Sequence, residues 1–160
     1  MAYFSSLTGT ITEINRMEAN GCSLLLTVQE EQQGLIQILL SADTYVLNCS
    51  PLSIGSRATF FYRANAPMPL VYPPRYQAAA AALTPRGTMA ALDYFNEELT
   101  NSDNTLKLNL TGQVPASLPN GQMFLGSFSG RILLVLYRSA TRSIPAQTTP
   151  EQVVVFCPGN

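Results

Sequence analysis

The sequence has no histidine, no tryptophan and a single lysine, Lys107, against eight arginines. Without an imidazole there is no Ser-His or Cys-His nucleophile pair, and the usual zinc and copper ligand sets are missing. Charge is scarce as well: 12% of the 160 residues are charged and 46% are hydrophobic. Such a chain can bury a core and is not a disordered segment. At this length a globular chain hides roughly 70% of its unfolded surface and needs neither disulfide nor metal to fold. The formal net charge is −1, and the balance holds in both halves, with four basic against five acidic residues in 1–83 and five against five beyond. No broad field therefore draws DNA, RNA or an anionic membrane.

Long apolar runs are also missing; none approaches the roughly 20 residues that cross a bilayer. The start, MAYFSSLTGTITEI, lacks the basic patch and apolar stretch of a secretory signal. The expectation is a cytoplasmic protein on the chain as it stands, with the cell envelope or secretion as the alternative if Met1 is not the native start. The three cysteines, Cys22, Cys49 and Cys157, are odd in number and have no CxxC or other short metal spacing. Cys22 and Cys157 adjoin apolar runs, so buried, inert thiols are expected rather than a disulfide. The preference for Arg over Lys points to defined contacts rather than general surface solvation, and to some surface covered by another chain.

What is present is mostly strand signal. Apolar and polar residues alternate over 7–14, and Asn20-Gly21 is a strong turn pair. Further strands are predicted over 22–28, 35–40, 43–47 and 58–63, while the four prolines in residues 65–76 exclude a central strand there. Five short strands with turns between them suit a small Greek-key barrel.

The second half echoes the first. Gly55-Ser-Arg-Ala-Thr-Phe-Phe-Tyr-Arg63 aligns with Gly130-Arg-Ile-Leu-Leu-Val-Leu-Tyr-Arg138. Allowing one residue of slip, Pro69 matches Pro145, Pro74 matches Pro150, and the apolar run after Gln77 matches the one after Gln152. This predicts two copies of one unit, residues 1–83 and 84–160, packed on each other. Alanines 78–82 alone suggest a helix, but the β-branched counterpart Val153 to Val155 makes both strands. Leu92, Phe95 and Leu99 have helical spacing, yet the repeat requires a strand over 89–99.

Few groups suggest chemistry. The pairs Glu30-Glu31 and Glu97-Glu98 are sequence neighbours, which places them as solvated turn charges rather than a glycosidase pair. Ser127 lies outside a GxSxG elbow and has no base. Asn101-Ser-Asp-Asn104 supplies part of a calcium set and is better described as a hairpin turn. Tyr72-Pro-Pro-Arg-Tyr76, with Tyr62-Arg63 upstream, joins aromatics and guanidinium to a stiff backbone. That segment could stack sugars or bases, or simply brace a loop across the end of the barrel. The counterpart loop 139–150 keeps Arg142 and the prolines but no aromatic.

FFYRANAPMPLVYPPRY (60–76) and LYRSATRSIPAQTTP (136–150) together resemble an uncharacterised family of tandem OB-like domains from Gram-positive anaerobes. Related stretches occur beside copper-amine-oxidase-N-terminal-like modules in larger surface proteins. The resemblance implies an OB-like β-barrel unit in tandem and carries over no catalytic residue. The expected fold is all-β, two repeated OB-like five-stranded barrel units packed through a mostly apolar interface. The expected function is a non-catalytic binding or interaction module for an oligosaccharide, peptide or protein partner, with no cofactor and no metal. Its contact surface would comprise Tyr62, Arg63, Tyr72, Arg75 and Tyr76, joined across the repeat by Arg138 and Arg142. Single-stranded nucleic-acid binding is an alternative that the charge balance disfavours. A purely structural assembly role and a homo-oligomer stay open.

Overall fold

The alternation of apolar and polar residues resolves into thirteen strands in a computed structural model that describes residues 3–158. The fold is all-β, and the one helical element among the described residues is the short 3-10 turn Leu47–Cys49. The first seven strands are β1 (Phe4–Arg16), β2 (Leu24–Glu30), β3 (Gly34–Leu40), β4 (Tyr45–Val46), β5 (Arg57–Arg63), β6 (Arg75–Gln77) and β7 (Ala80–Leu83). The others are β8 (Met89–Phe95), β9 (Leu106–Leu108), β10 (Ala116–Ser117), β11 (Arg131–Tyr137), β12 (Ala146–Thr148) and β13 (Gln152–Phe156). The chain divides into two compact units, Phe4–Arg86 and residues 87–158 with Tyr3.

In Phe4–Arg86 the strand order is β4-β7-β5-β1-β2-β3-β6. Asn20-Gly21 turns the chain between β1 and β2: Gly21 has φ +74°, and its N–H donates to Glu18 O at 2.9 Å. Gly9 is required by close packing, since a Cβ there would stand 2.3 Å from Gln29 O. The β1–β2 register shifts between Ile11 and Glu13, a bulge that bends the long first strand. Leu7, Ile11, Leu26, Val28, Ile36, Ile38, Ala58, Phe60, Ala78 and Ala81 form the core. Phe60 lies directly opposite Ala81 in the β5–β7 ladder, a large side chain facing a small one. In the alanine run 78–82 the last three residues are strand, the first two lie between β6 and β7, and none is helical.

Residues 87–158 form a four-stranded sheet, β10-β13-β11-β8, and a parallel pair, β12-β9. Their core comprises Phe95, Leu106, Leu108, Leu133, Val135, Val153 and Val155. Here Val135 opposes Val153, two side chains of equal size. The strand expected over 89–99 runs from Met89 to Phe95. Leu99 lies beyond it in a turn at φ +59°, so its helical spacing from Phe95 has no helix behind it.

The sheets are not closed into barrels. In Phe4–Arg86 the strand order ends at β4 on one side and β6 on the other. The ladder breaks at Ala78–Ala79, where Ala78 N–H donates to Leu39 O and Ala79 N–H to Phe61 O, so the chain leaves β3 for β5. In the second unit no full strand pairs between β8 and β9; only the single bridges Phe95–Asn101 and Thr100–Lys107 connect that region. Asparagine side chains explain the loss. Asn96 Oδ1 accepts from Glu98 and Thr100 N–H, and Asn101 Oδ1 from Thr105 and Leu106 N–H, so local turns take the donors a ladder would use.

The cysteine expectation fails: all three thiols are free and exposed. Each lies just off a ladder rather than in it. Cys22 follows the Asn-Gly turn, Cys49 ends the 3-10 turn at φ +51°, and Cys157 lies past the end of β13. Their apolar neighbours are drawn into the core while they remain outside it.

Candidate functional site

The Tyr-Arg strand β5 sends its last two side chains to opposite faces. Tyr62 turns inward. Its ring lies 4.8 Å from that of Tyr76 at a tilt of 49°, and both pack against the core. The Tyr76 hydroxyl reaches the β2–β3 turn and donates to Gln33 Oε1 at 3.2 Å. These two rings brace the sheet and offer little face to a ligand.

Arg75 lies opposite Gln37 in the parallel β3–β6 ladder. Its Nε and Nη2 donate to Gln37 Oε1 at 3.4 and 3.2 Å. Both belong to the outward face, because Ile36 and Ile38 on either side of Gln37 are in the core. Tyr72 is 91% exposed, in a loop where Met68, Leu70 and Val71 are exposed too.

Arg63 lies on the other side of β5 from Tyr62. Its guanidinium carbon is 5.6 Å from the Phe4 ring centroid, within cation–π range. It lines a concavity of about 370 Å3 with Ser41, Asp43, Thr44, Ala66 and Gln77 to Ala79. The rim is ordered by hydrogen bonds: Asp43 N–H donates to Ser41 Oγ at 3.2 Å, and Thr44 Oγ1 donates to Ala78 O at 2.8 Å. Arg138 and Arg142 belong to the second unit. Arg138 Nε is 2.6 Å from Glu151 Oε1, and Arg142 is exposed.

The expected cluster is therefore not one surface. Tyr62 and Tyr76 come together as packing; Arg75 joins an outward sheet face, Arg63 a separate concavity, and Tyr72 a loop. Three partners were not singled out by sequence. Gln37 was signalled by strand alternation, whereas Asp43 and Glu151 carried no local signal.

Other acids serve structure. Glu30 is buried, not solvated; its Oε2 accepts from the N–H groups of Gln32 and Gln33 and ties down the β2–β3 turn. Glu31 pairs with Arg57 Nε at 2.8 Å. In the second unit Asp93 is buried and accepts from Ser102 Oγ at 2.7 Å and from Tyr94 N–H at 2.8 Å. A second concavity of about 340 Å3 lies there, with Glu97, Leu99, Leu110, Ser127 and Phe128 among its lining. Burial raises the Tyr45 and Tyr137 hydroxyls above the ordinary phenol range. Among the described residues no three His, Cys, Asp or Glu side chains gather as metal ligands, and no helix is long and apolar enough to cross a membrane. Compared with known proteins, the chain matches no family model and no curated sequence.

Proposed function

We propose that this chain is a non-catalytic binding module made of two OB-like units in tandem, and that its outward β2–β3–β6 face takes a neutral oligosaccharide. An OB fold is a partly open five-stranded Greek-key barrel that binds oligomers on the face of its second and third strands. Strand pairing supports the tandem reading. In the first unit β5 pairs antiparallel with β1 and β7, while β6 and β4 pair parallel with β3 and β7. In the second, β11 pairs antiparallel with β8 and β13, while β12 and β10 pair parallel with β9 and β13. Aligned by these ladders rather than by the prolines, Ala81 corresponds to Val153, where the sequence match had placed Ala78.

The ligand class rests on one observation: the Arg75–Gln37 pair, held on an outward face whose neighbours are amides and leucines. Gln29, Gln37 and Gln77 offer amides, Arg75 a planar cation, and Leu35 an exposed apolar patch. Hydroxyl-rich sugars suit such a face, since the amides donate and accept and the guanidinium donates in a plane, while leucine covers the C–H side. A phosphate chain would find one arginine, too little for strong counterion release.

The test is calorimetric titration with neutral gluco-, xylo- and chito-oligosaccharides. Binding to the native chain that is lost in Gln37→Ala and Arg75→Ala is the expected result, with melting temperatures of the unliganded variants kept within a few degrees. Binding to single-stranded DNA instead, falling steeply with salt, would overturn the reading. A second reading, self-assembly, draws on the exposed Met68, Leu70, Val71 and Tyr72. Light scattering tests it directly: a dimer mass that falls to the monomer in Leu70→Ser/Tyr72→Ser supports it.

A further inference from the structure

The two Tyr-Arg strands end in different electrostatic situations. In the second unit Glu151 N–H donates to Leu136 O at 2.7 Å, just past the tyrosine-bearing stretch of β11, and its carboxylate holds Arg138. In the first unit Ala79 N–H donates to Phe61 O at the same 2.7 Å. Ala79 thus occupies in the first unit the place of Glu151 in the second, and the arginine beside it is Arg63. Among the described residues Arg63 has no ion pair; it borders the concavity of about 370 Å3 that Ala79 helps to floor.

We infer that this concavity is a binding site for a zwitterionic ligand, an α-amino acid or a short peptide with free termini. This site follows from the proposed equivalence of the two units and not from the saccharide face. Arg63 supplies the carboxylate partner. A guanidinium at this strand position accommodates a carboxylate in the second unit, so a ligand carboxylate over Ala79 would occupy the place of the Glu151 side chain. Asp43, exposed in the same lining, supplies the counterpart for an ammonium group. The same Asp43 opposes a dianion such as phosphate, since a like charge in one small concavity is repulsive. Gln77 and Ser41 add neutral donors and acceptors, and Ala66 and Ala79 keep the floor low enough for a ligand backbone. The volume falls within the roughly 300–1,000 Å3 range of small-molecule sites.

The test titrates the full chain with glycine, L-alanine and L-alanyl-L-alanine, using acetate and ethylamine as single-charge controls, followed by amide chemical-shift changes. The expected result is saturable shifts confined to residues 41–44, 63–66 and 77–79, with the zwitterions binding at least about tenfold more tightly than either control. Arg63→Gln and Ala79→Glu should both abolish them, the second by placing an internal carboxylate on Arg63. Asp43→Asn should bring acetate affinity closer to that of the zwitterions. Failure of all zwitterions to shift these residues at about 10 mM would overturn the site, as would binding that survives Arg63→Gln. The oligosaccharide titration fails or succeeds separately, since its variants Gln37→Ala and Arg75→Ala change no residue of this lining, although Gln77 borders both faces.

Discussion

Residues 4–86 and 87–158 solve the same packing problem with different volumes. At the ladder positions that the proposed repeat matches, the first unit sets Phe60 against Ala81, and the second sets Val135 against Val153. One large and one small side chain replace two of middle size, so both cores fill without either residue being replaceable alone. The same contrast recurs at the rim, where Glu151 satisfies Arg138 and Ala79 leaves Arg63 facing a concavity. A small residue thus completes the core at Ala81 and leaves open space beside Arg63 at Ala79. The first unit is the more complete in its sheet, with a full β1–β2–β3 meander.

The core comparison is broken most severely by Phe60→Ala, which should cost about 3–5 kcal/mol as a truncated buried aromatic. Ala81→Val alone should cost about 1–3 kcal/mol by overpacking against Phe60. Converting both positions to the valines of the second unit, Phe60→Val/Ala81→Val, should then be better than the sum of its parts, with a favourable coupling of about 0.5–3 kcal/mol. Urea midpoints of the four proteins provide the measurement. A sum with no coupling would mean that the two side chains do not share space.

Each unit also buries one carboxylate, and here the effects are smaller. Glu30→Ala should cost about 1 kcal/mol, because the Gln32 and Gln33 N–H groups it holds can turn to water. Asp93→Ala should cost more than Glu30→Ala, since Ser102 Oγ loses its partner as well. Equal losses would mean that turn closure, rather than the serine contact, decides both.

The smallest effect is one of pH. Burial raises the Tyr137 hydroxyl above the ordinary phenol value, so the folded state favours the neutral form. As pH rises past about 10 the unfolded chain ionises first and stability falls. Tyr137→Phe should flatten that alkaline decline without changing stability near neutrality by much. Melting curves across that pH window decide it; an unchanged slope would contradict a burial-driven shift.

Much of the architecture was legible because period-two alternation is strong. The segments around Leu26, Ile36, Phe60 and Leu133 were recognisable as strands, and the Tyr-Arg echo is the sequence signal behind the proposed repeat. The end of the β8 strand at Phe95 was not, because Asn96 and Asn101 act through their side chains on nearby backbone, a competition that pattern alone does not weigh. Cys22, Cys49 and Cys157 misled for a similar reason: apolar neighbours within the chain do not bury a residue that stands one step beyond a ladder's end. The site was legible only in its residue types. Arginine and tyrosine were conspicuous, but whether each faced core, sheet surface or concavity depended on the parity of its strand and on distant partners such as Gln37, Asp43 and Glu151.

In the proposed repeat, matching arginines meet an internal carboxylate in one unit, Arg138 with Glu151, and an open concavity in the other, at Arg63. The direct measurement is the arginine Nε–H region of the NMR spectrum in the native chain, Glu151→Gln and Ala79→Glu. Glu151→Gln should move the Arg138 signal and leave Arg63 in place, and Ala79→Glu should shift Arg63 toward the paired position Arg138 holds in the native chain. An Arg63 signal indifferent to Ala79→Glu, or an Arg138 signal indifferent to Glu151→Gln, would contradict it.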